Sequence, residues 1–148
     1  MTDKISKPNC EKKIAVLGST GSVGRQTLDV AEKCGVAITA LSASSSVKEL
    51  EKQIRKFHPR LCAVKSEKAG RELRTLVSDT DTDVIFGENA AAYAAALPEN
   101  DIVFNSTSGI AGLYPTLAAI EAGHDVALAN KETLVAAGEI VMDAAAAN

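Results

Sequence analysis

The stretch KIAVLGSTGSVG, residues 13–24, carries an apolar strand directly into a glycine-rich turn that opens a helix. Gly18 permits a tight turn, Gly21 removes the side chain where backbone must approach a phosphate, and Gly24 lets the following helix lie close to the sheet. The N–H groups at the helix start and the helix dipole both favour an anion here. The stretch therefore predicts a pyrophosphate-binding turn, although its first glycine gap is one residue longer than in Gly-x-Gly-x-x-Gly.

Short apolar strand patterns alternate with helical patterns along the chain, which is typical of a parallel sheet covered by helices. The predicted strands span residues 13–17, 37–42, 61–64, 83–86, 101–105 and 125–129. The predicted helices span residues 22–33, 47–57, 67–76, 89–96 and 113–122, and a last helix begins near Asn130. We predict one α/β domain over residues 1–148, Rossmann-like and doubly wound, with a mostly parallel sheet, helices on both faces and a loose leader at 1–11.

Composition and charge narrow the classes of partner. The chain of 148 residues has a net charge of -3 and no long run of Lys and Arg, which argues against nucleic acid or an anionic membrane as its partner. Cys10, Cys34 and Cys62 lack metal-binding spacing, and His58 and His124 are solitary, so we predict no metal site. The polar start of the chain leads into no apolar signal region, so we expect a reduced, cytoplasmic protein.

A serine-rich segment follows the second predicted strand, where NAD-binding folds place an acid that accepts hydrogen bonds from the ribose. This chain has no acid there. The hydroxyls and amides of Ser44, Ser45 and Ser46 are suited to a 2′-phosphate, with Lys48 as the nearest cation in sequence. The other interpretation is an ordinary serine loop in which Ser46 caps the next helix. The residues alone leave both interpretations open.

Two further strand ends carry candidate residues. Residues 105–117, NSTSGIAGLYPTL, form either the floor of a nicotinamide pocket or an ordinary strand-to-helix connection. After the last strand, Asn130 suits a helix cap and Glu132 suits the positive end of a helix, whereas Lys131 opposes the helix dipole. A cation in that position indicates an anionic or carbonyl-bearing ligand better than a structural role.

Three sequence blocks, in this order, resemble the amino-terminal part of the 1-deoxy-D-xylulose 5-phosphate reductoisomerases, NADPH-dependent enzymes of the non-mevalonate isoprenoid pathway. They are GSTGSVG at residues 18–24, GLYPTLAAI at 112–120 and LANKETLV at 128–135. The resemblance implies that Lys131 contacts substrate. From motif and resemblance together, the cofactor-binding residues we predict are Gly18, Thr20, Gly21, Ser22, Val23, Ser44, Ser45, Ser46, Asn130 and Glu132.

The chain departs from the family pattern in two respects. The loop after the second strand usually carries Gly, a basic residue and Asn, but here those positions are Ser44, Ser45 and Ser46. The family's carboxylates for Mg²⁺ or Mn²⁺ lie in an Asp-Ser-Glu motif beyond the last helix seen here. The resemblance therefore implies that this chain is the NADPH-binding portion of a longer enzyme, that its metal-binding, catalytic and carboxy-terminal helical domains lie elsewhere, and that this portion alone is inactive.

The resemblance implies that the parent is a homodimer that converts 1-deoxy-D-xylulose 5-phosphate, a phosphorylated sugar, into 2-C-methyl-D-erythritol 4-phosphate. One alternative is an aspartate-semialdehyde or N-acetylglutamyl-phosphate reductase domain, which needs a cysteine nucleophile at the sheet mouth, where none of the cysteines falls. The other is a non-catalytic NADP(H)-sensing module, which gives residues 130–132 no evident use.

Overall fold

The computed structural model describes residues 11–129 and 131–148, so Asn130 and most of the predicted leader, residues 1–10, lie outside the described residues. The strands are β1 Lys13–Leu17, β2 Ala37–Ala43, β3 Leu61–Val64, β4 Asp83–Phe86, β5 Ile102–Asn105 and β6 Asp125–Leu128. The helices are α1 Ser22–Cys34, α2 Val47–Phe57, α3 Glu67–Leu76, α4 Ala90–Ala95, α5 Leu113–Glu121 and α6 Lys131–Ala147, with a short 3₁₀ turn at Gly109–Gly112. The predicted elements are confirmed to within one residue at each end, whereas the 3₁₀ turn was not predicted.

The described strands form one sheet in the order β4-β3-β2-β1-β5-β6, and every pairing is parallel. The predicted Rossmann-like α/β fold is therefore confirmed. At the carboxyl end of β1, Leu17 lies opposite Ser42 of β2 on one side and Asn105 of β5 on the other. The chain winds in one direction from β1 to β4 and then continues on the opposite side of β1. A doubly wound sheet opens its ligand crevice at such a reversal.

The two faces of the sheet are buried by different kinds of side chain. One face packs large aliphatic residues, including Val16 and Leu41, against α1, α2 and α3, with Ile54 of α2 in the same cluster. The other face packs alanines such as Ala15 against α4 and α5, and Ala94 of α4 belongs to the same cluster. Because both faces are covered, the strands read as nearly continuous apolar runs rather than as alternating ones.

Candidate functional site

The turn after β1 depends on two glycines that make close backbone contacts. Gly18 has a φ of +74°, and a Cβ atom there would lie 3.0 Å from the backbone of Ser106. A Cβ atom on Gly24 would lie 2.1 Å from the carbonyl oxygen of Gly18, a distance that no real side chain tolerates. The tight turn predicted at Gly18 and the close packing predicted at Gly24 are both confirmed.

Gly21 lies between these two glycines and differs from both. It is the N-cap of α1, and a Cβ atom there would meet its nearest neighbour, the Gly18 carbonyl oxygen, at an ordinary 3.5 Å. The first intrahelical bond runs from the Arg25 N–H to the Gly21 carbonyl oxygen at 2.9 Å, so the preceding N–H groups have no intrahelical partner. No acidic residue lies in the first turn of α1. The space beside Gly21 and the helix start is therefore suited to an anion.

Three polar residues hold the glycine turn from neighbouring elements. Ser42, in β2, accepts the Ser19 N–H on its carbonyl oxygen at 2.9 Å and the Gly18 N–H on its hydroxyl oxygen at 3.3 Å. Gln53, buried on α2, donates from Nε2 to the Ser19 carbonyl oxygen at 2.9 Å. Ser106, just after β5, donates its hydroxyl to the Gly18 carbonyl oxygen at 3.2 Å. The turn is thus fixed by hydrogen bonds from three elements far apart in sequence.

Sequence reasoning missed these supporting residues. One signal was available for Gln53, since this polar residue falls between Leu50 and Ile54 on the apolar face of α2. A polar residue on a buried helix face needs a hydrogen-bond partner, which the sequence does not name. For Ser42 and Ser106 the sequence offers no comparable signal, because their partner is set by strand order.

The loop after β5 is shaped by a buried asparagine. Asn105 donates from Nδ2 to the Gly112 carbonyl oxygen at 3.0 Å and to the Thr116 hydroxyl at 2.9 Å, and its Oδ1 accepts the Thr107 N–H at 3.0 Å. These bonds tie the two ends of the loop to the end of β5. The loop therefore presents a defined surface to the ligand crevice.

A cleft of about 650 Å³ opens at the carboxyl ends of the strands and brings together three of the segments predicted from the sequence. The predicted cofactor-binding residues that line it are Gly18, Thr20, Gly21, Ser44 and Ser46. The loop after β5 lines it with Ser106, Thr107, Ser108, Ile110, Ala111, Leu113, Tyr114 and Pro115. Ser46 lies at the N-cap position of α2, as predicted, but its side chain makes no capping hydrogen bond.

The other predicted residues lie outside this lining. Ser22 and Val23 begin α1 next to the cleft, and Ser45 is exposed in the serine segment. Lys131 and Glu132 are exposed at the start of α6, and their side chains do not line the cleft. Asn130 lies outside the described residues. The described structure therefore does not bring the last cluster together with the glycine turn.

Two charged residues that the sequence analysis did not single out line the cleft. Lys65 directly follows β3 and Glu88 lies after β4, and their Nζ and Oε2 atoms are 3.5 Å apart. Cys62 lies inside β3, and burial raises the pKa of its thiol to about 12. A thiol with this pKa is protonated at neutral pH and is not a nucleophile.

The described residues form neither a cluster of metal ligands nor a helix that could span a membrane. Among residues 11–129 and 131–148, no three His, Cys, Asp or Glu side chains are grouped so that they could hold a metal ion. In the same part of the chain, no helix combines the length and the apolar character needed to cross a membrane.

Known proteins resemble this chain in sequence over most of its length. The family model described as 1-deoxy-D-xylulose 5-phosphate reductoisomerase matches residues 14–138. The enzyme of that name from Heliobacterium modesticaldum is 51% identical over 138 residues, which cover 90% of this chain and 35% of the relative. The corresponding Agathobacter rectalis protein is 45% identical over 132 residues, which cover 88% of this chain and 35% of the relative. The chain thus spans about a third of the length of these curated relatives.

Solved structures give the same result for the fold. The 1-deoxy-D-xylulose 5-phosphate reductoisomerase from Zymomonas mobilis in complex with NADPH has a TM-score of 0.87 and 33% identity, covering 92% of this chain and 36% of that one. A DOX-P reductoisomerase in complex with NADPH, fosmidomycin and magnesium has a TM-score of 0.87 and 34% identity, covering 92% of this chain and 34% of that one. A homoserine dehydrogenase from Thiobacillus denitrificans, with a TM-score of 0.52 and 22% identity, shares the fold alone.

The resemblance drawn from the three sequence blocks is confirmed, and the two alternative classes are not favoured. The chain belongs to the 1-deoxy-D-xylulose 5-phosphate reductoisomerase family.

Proposed function

We propose that this member of the reductoisomerase family binds NADPH in the cleft at the carboxyl ends of β1, β2 and β5. The observation that carries the proposal is the glycine turn, where Gly18 and Gly24 are required by the protein's own contacts but Gly21 is not. The space left at Gly21 faces the cleft at the start of α1, where a pyrophosphate would be bound by backbone N–H groups. A solved relative that contains NADPH supports this choice of cofactor.

Each part of the cleft then has a role toward the cofactor. We assign the pyrophosphate to the segment from Thr20 to Val23, chiefly through the N–H groups at the start of α1, because the Gly21 N–H already donates to the Gly18 carbonyl oxygen at 3.2 Å. Ser44, Ser45 and Ser46 take the 2′-phosphate end, a role consistent with the absence of a capping bond from Ser46. The loop after β5, held by Asn105, takes the nicotinamide end. Asn130 and Glu132 add contacts to the cofactor, as the family resemblance implies.

Bound NADPH supplies a hydride to a carbonyl group, and the chain's own residues bind and orient it. On the loop after β5, Ile110, Ala111 and Leu113 form an apolar part of the cleft wall, which favours the uncharged reduced nicotinamide ring. The hydrogen bond from Asn105 to Gly112 holds this loop, and the hydrogen bond from Ser106 to Gly18 joins the start of the loop to the glycine turn. Lys131 is placed by the resemblance against substrate, where its charge would match a developing oxyanion.

We further propose that the whole protein converts 1-deoxy-D-xylulose 5-phosphate into 2-C-methyl-D-erythritol 4-phosphate, as a cytoplasmic homodimer without nucleic-acid or membrane partners. Residues 1–148 form its NADPH-binding domain in this proposal. A divalent metal does not fit the described residues, since they lack a cluster of ligands. The family's magnesium is therefore assigned to a part of the protein outside this chain, and a solved relative that contains magnesium supports the assignment.

The binding proposal is tested by titrating the chain with NADPH and following the fluorescence of the reduced nicotinamide. Gly21→Val should weaken binding by roughly a hundredfold or more, since a branched side chain fills the space of the pyrophosphate. The matched control is Gly138→Val, because a Cβ atom at Gly138 meets nothing within 4 Å. Equal affinities for folded Gly21→Val and wild type would overturn the assignment.

The proposal that residues 1–148 bind NADPH but do not catalyse the reaction by themselves is tested with the same chain. Incubation with 1-deoxy-D-xylulose 5-phosphate, NADPH and Mg²⁺ or Mn²⁺ should give no NADPH oxidation, because the metal ligands lie elsewhere. Calorimetric titration with either metal alone should show no tight binding. Measurable turnover would show that this chain catalyses the reaction without the rest of the protein. That result would contradict this proposal but not the proposed NADPH site.

A further inference from the structure

The backbone joins Lys65 to the serine segment at the mouth of the cleft. The Lys65 N–H donates to the Ala43 carbonyl oxygen at 3.1 Å, and the Ser66 N–H donates to the Ser44 carbonyl oxygen at 2.9 Å. Both strands end here, so Lys65 and Ser44 lie side by side in the cleft wall although they are far apart in sequence.

Lys65 is the one positively charged side chain among the described residues that line this cleft, and Glu88 is the one negatively charged. Lys48, the cation nearest to the serine segment in sequence, lies on α2 and does not line the cleft. The expectation that Lys48 serves a phosphate at Ser44–Ser46 therefore has no support from the cleft geometry, whereas Lys65 is in place.

We infer that Lys65 holds the 2′-phosphate of NADPH and is the residue through which the site distinguishes NADPH from NADH. This inference rests on the proposed function. The Ser44 and Ser46 hydroxyls are neutral donors, and a phosphate dianion leaving water needs an opposite charge as well as hydrogen bonds. The serine segment contains no carboxylate that would repel the 2′-phosphate of NADPH or accept hydrogen bonds from the free ribose hydroxyls of NADH.

Glu88 competes with the phosphate for the same ammonium group. The Lys65 and Glu88 side chains are 54% and 81% exposed, and an ion pair of 3.5 Å at such exposure contributes little to stability. Lys65 can therefore exchange the carboxylate for a phosphate at small cost. Glu88 opposes phosphate binding through its charge and by occupying Lys65.

The inference is tested by calorimetric titration of the intact chain with NADPH and NADH in parallel. Lys65→Met keeps the length and apolar stem of the side chain and removes its charge. It should weaken NADPH binding by roughly tenfold or more, with NADH affinity unchanged within about twofold. Lys48→Met is the matched control and should leave both affinities within about twofold of wild type. Glu88→Gln should strengthen NADPH binding by about two- to fivefold without affecting NADH.

Three outcomes would overturn the inference. They are an equal loss of both affinities in Lys65→Met, no loss of either affinity in Lys65→Met, and a loss of NADPH affinity in Lys48→Met instead. Each of them leaves the proposed function standing if wild type binds NADPH. A wild-type chain that binds neither nucleotide would overturn the proposed function and this inference with it. Thermal melts by circular dichroism confirm that the variants are folded, which is expected because Lys65 is exposed.

Discussion

The β1–α1 turn and the β6–α6 connection both join a parallel strand to a helix at the same edge of the sheet, but they are built differently. The first is anchored from several sides, since Ser19 is fully buried and hydrogen bonds arrive from β2, α2 and the loop after β5. The second is open. At the start of α6, Lys131 and Glu132 are exposed, and the Val135 side chain is 87% exposed.

The difference indicates that the anion-binding part of the proposed site is held in place by contacts within this chain. A turn held by several elements presents its N–H groups in a fixed arrangement, so binding an anion there costs little ordering. At the start of α6, Lys131 and Glu132 are exposed whereas Thr133 is fully buried, and α6 itself is interrupted at Ala137, where φ is -144° and ψ is 30°. We therefore expect changes at the glycine turn to affect both stability and NADPH binding, and a change at Lys131 to affect neither strongly.

The largest expected effect is at Gly24. Gly24→Ala places a methyl group 2.1 Å from the Gly18 carbonyl oxygen, so the turn and α1 must separate. The free energy of unfolding should fall by about 3 kcal/mol or more. Gly138→Ala, where the added Cβ atom meets nothing within 4 Å, should change it by less than about 1 kcal/mol and in the stabilising direction. Urea unfolding followed by circular dichroism measures both, and similar losses for the two variants would contradict the contact.

A smaller effect is expected at Gln53. Gln53→Ala leaves the buried Ser19 carbonyl oxygen without the Nε2 donor that binds it at 2.9 Å. The expected loss is about 1–3 kcal/mol in the free energy of unfolding, with weaker NADPH binding because the turn is less well held. Lys52→Ala, one residue earlier and exposed, is the control and should stay within about 0.5 kcal/mol of wild type. If Gln53→Ala unfolds like this control, the turn does not depend on α2.

The smallest effect is expected at Lys131. Lys131→Ala removes a cation from the positive end of α6, so the free energy of unfolding should rise by about 0.3 kcal/mol or stay unchanged. Glu132→Ala, at the next position, should change it by a similar amount in the opposite direction. The same urea unfolding measures both.

The NADPH affinity of Lys131→Ala should remain within about twofold of wild type in the fluorescence titration, since the exposed side chain lies outside the cleft lining. A tenfold loss would instead place the Lys131 side chain in the cofactor site.

The sequence determined the local elements and the glycine turn. Apolar runs of strand length, helical periodicity and residues such as Gly35 at the end of α1 act over a few neighbours, so they can be read along the chain. The three family blocks likewise predicted the family from short stretches. The roles of Gly18 and Gly24 followed from local geometry, because the atoms that Gly24 would strike lie within six residues of it.

The tertiary structure alone decided what surrounds that turn. Strand order placed Ser106 and Ser42 on either side of Gly18, and placed Lys65 beside Ser44. The sequence pointed instead to Lys48, because proximity along the chain was the only proximity it could show. Parallel strands are joined through helices, so residues at the same sheet edge are separated by whole crossover units. Which of them share a cleft depends on the order in which the strands pack, and that order is set by the burial of both faces of the sheet rather than by any local signal.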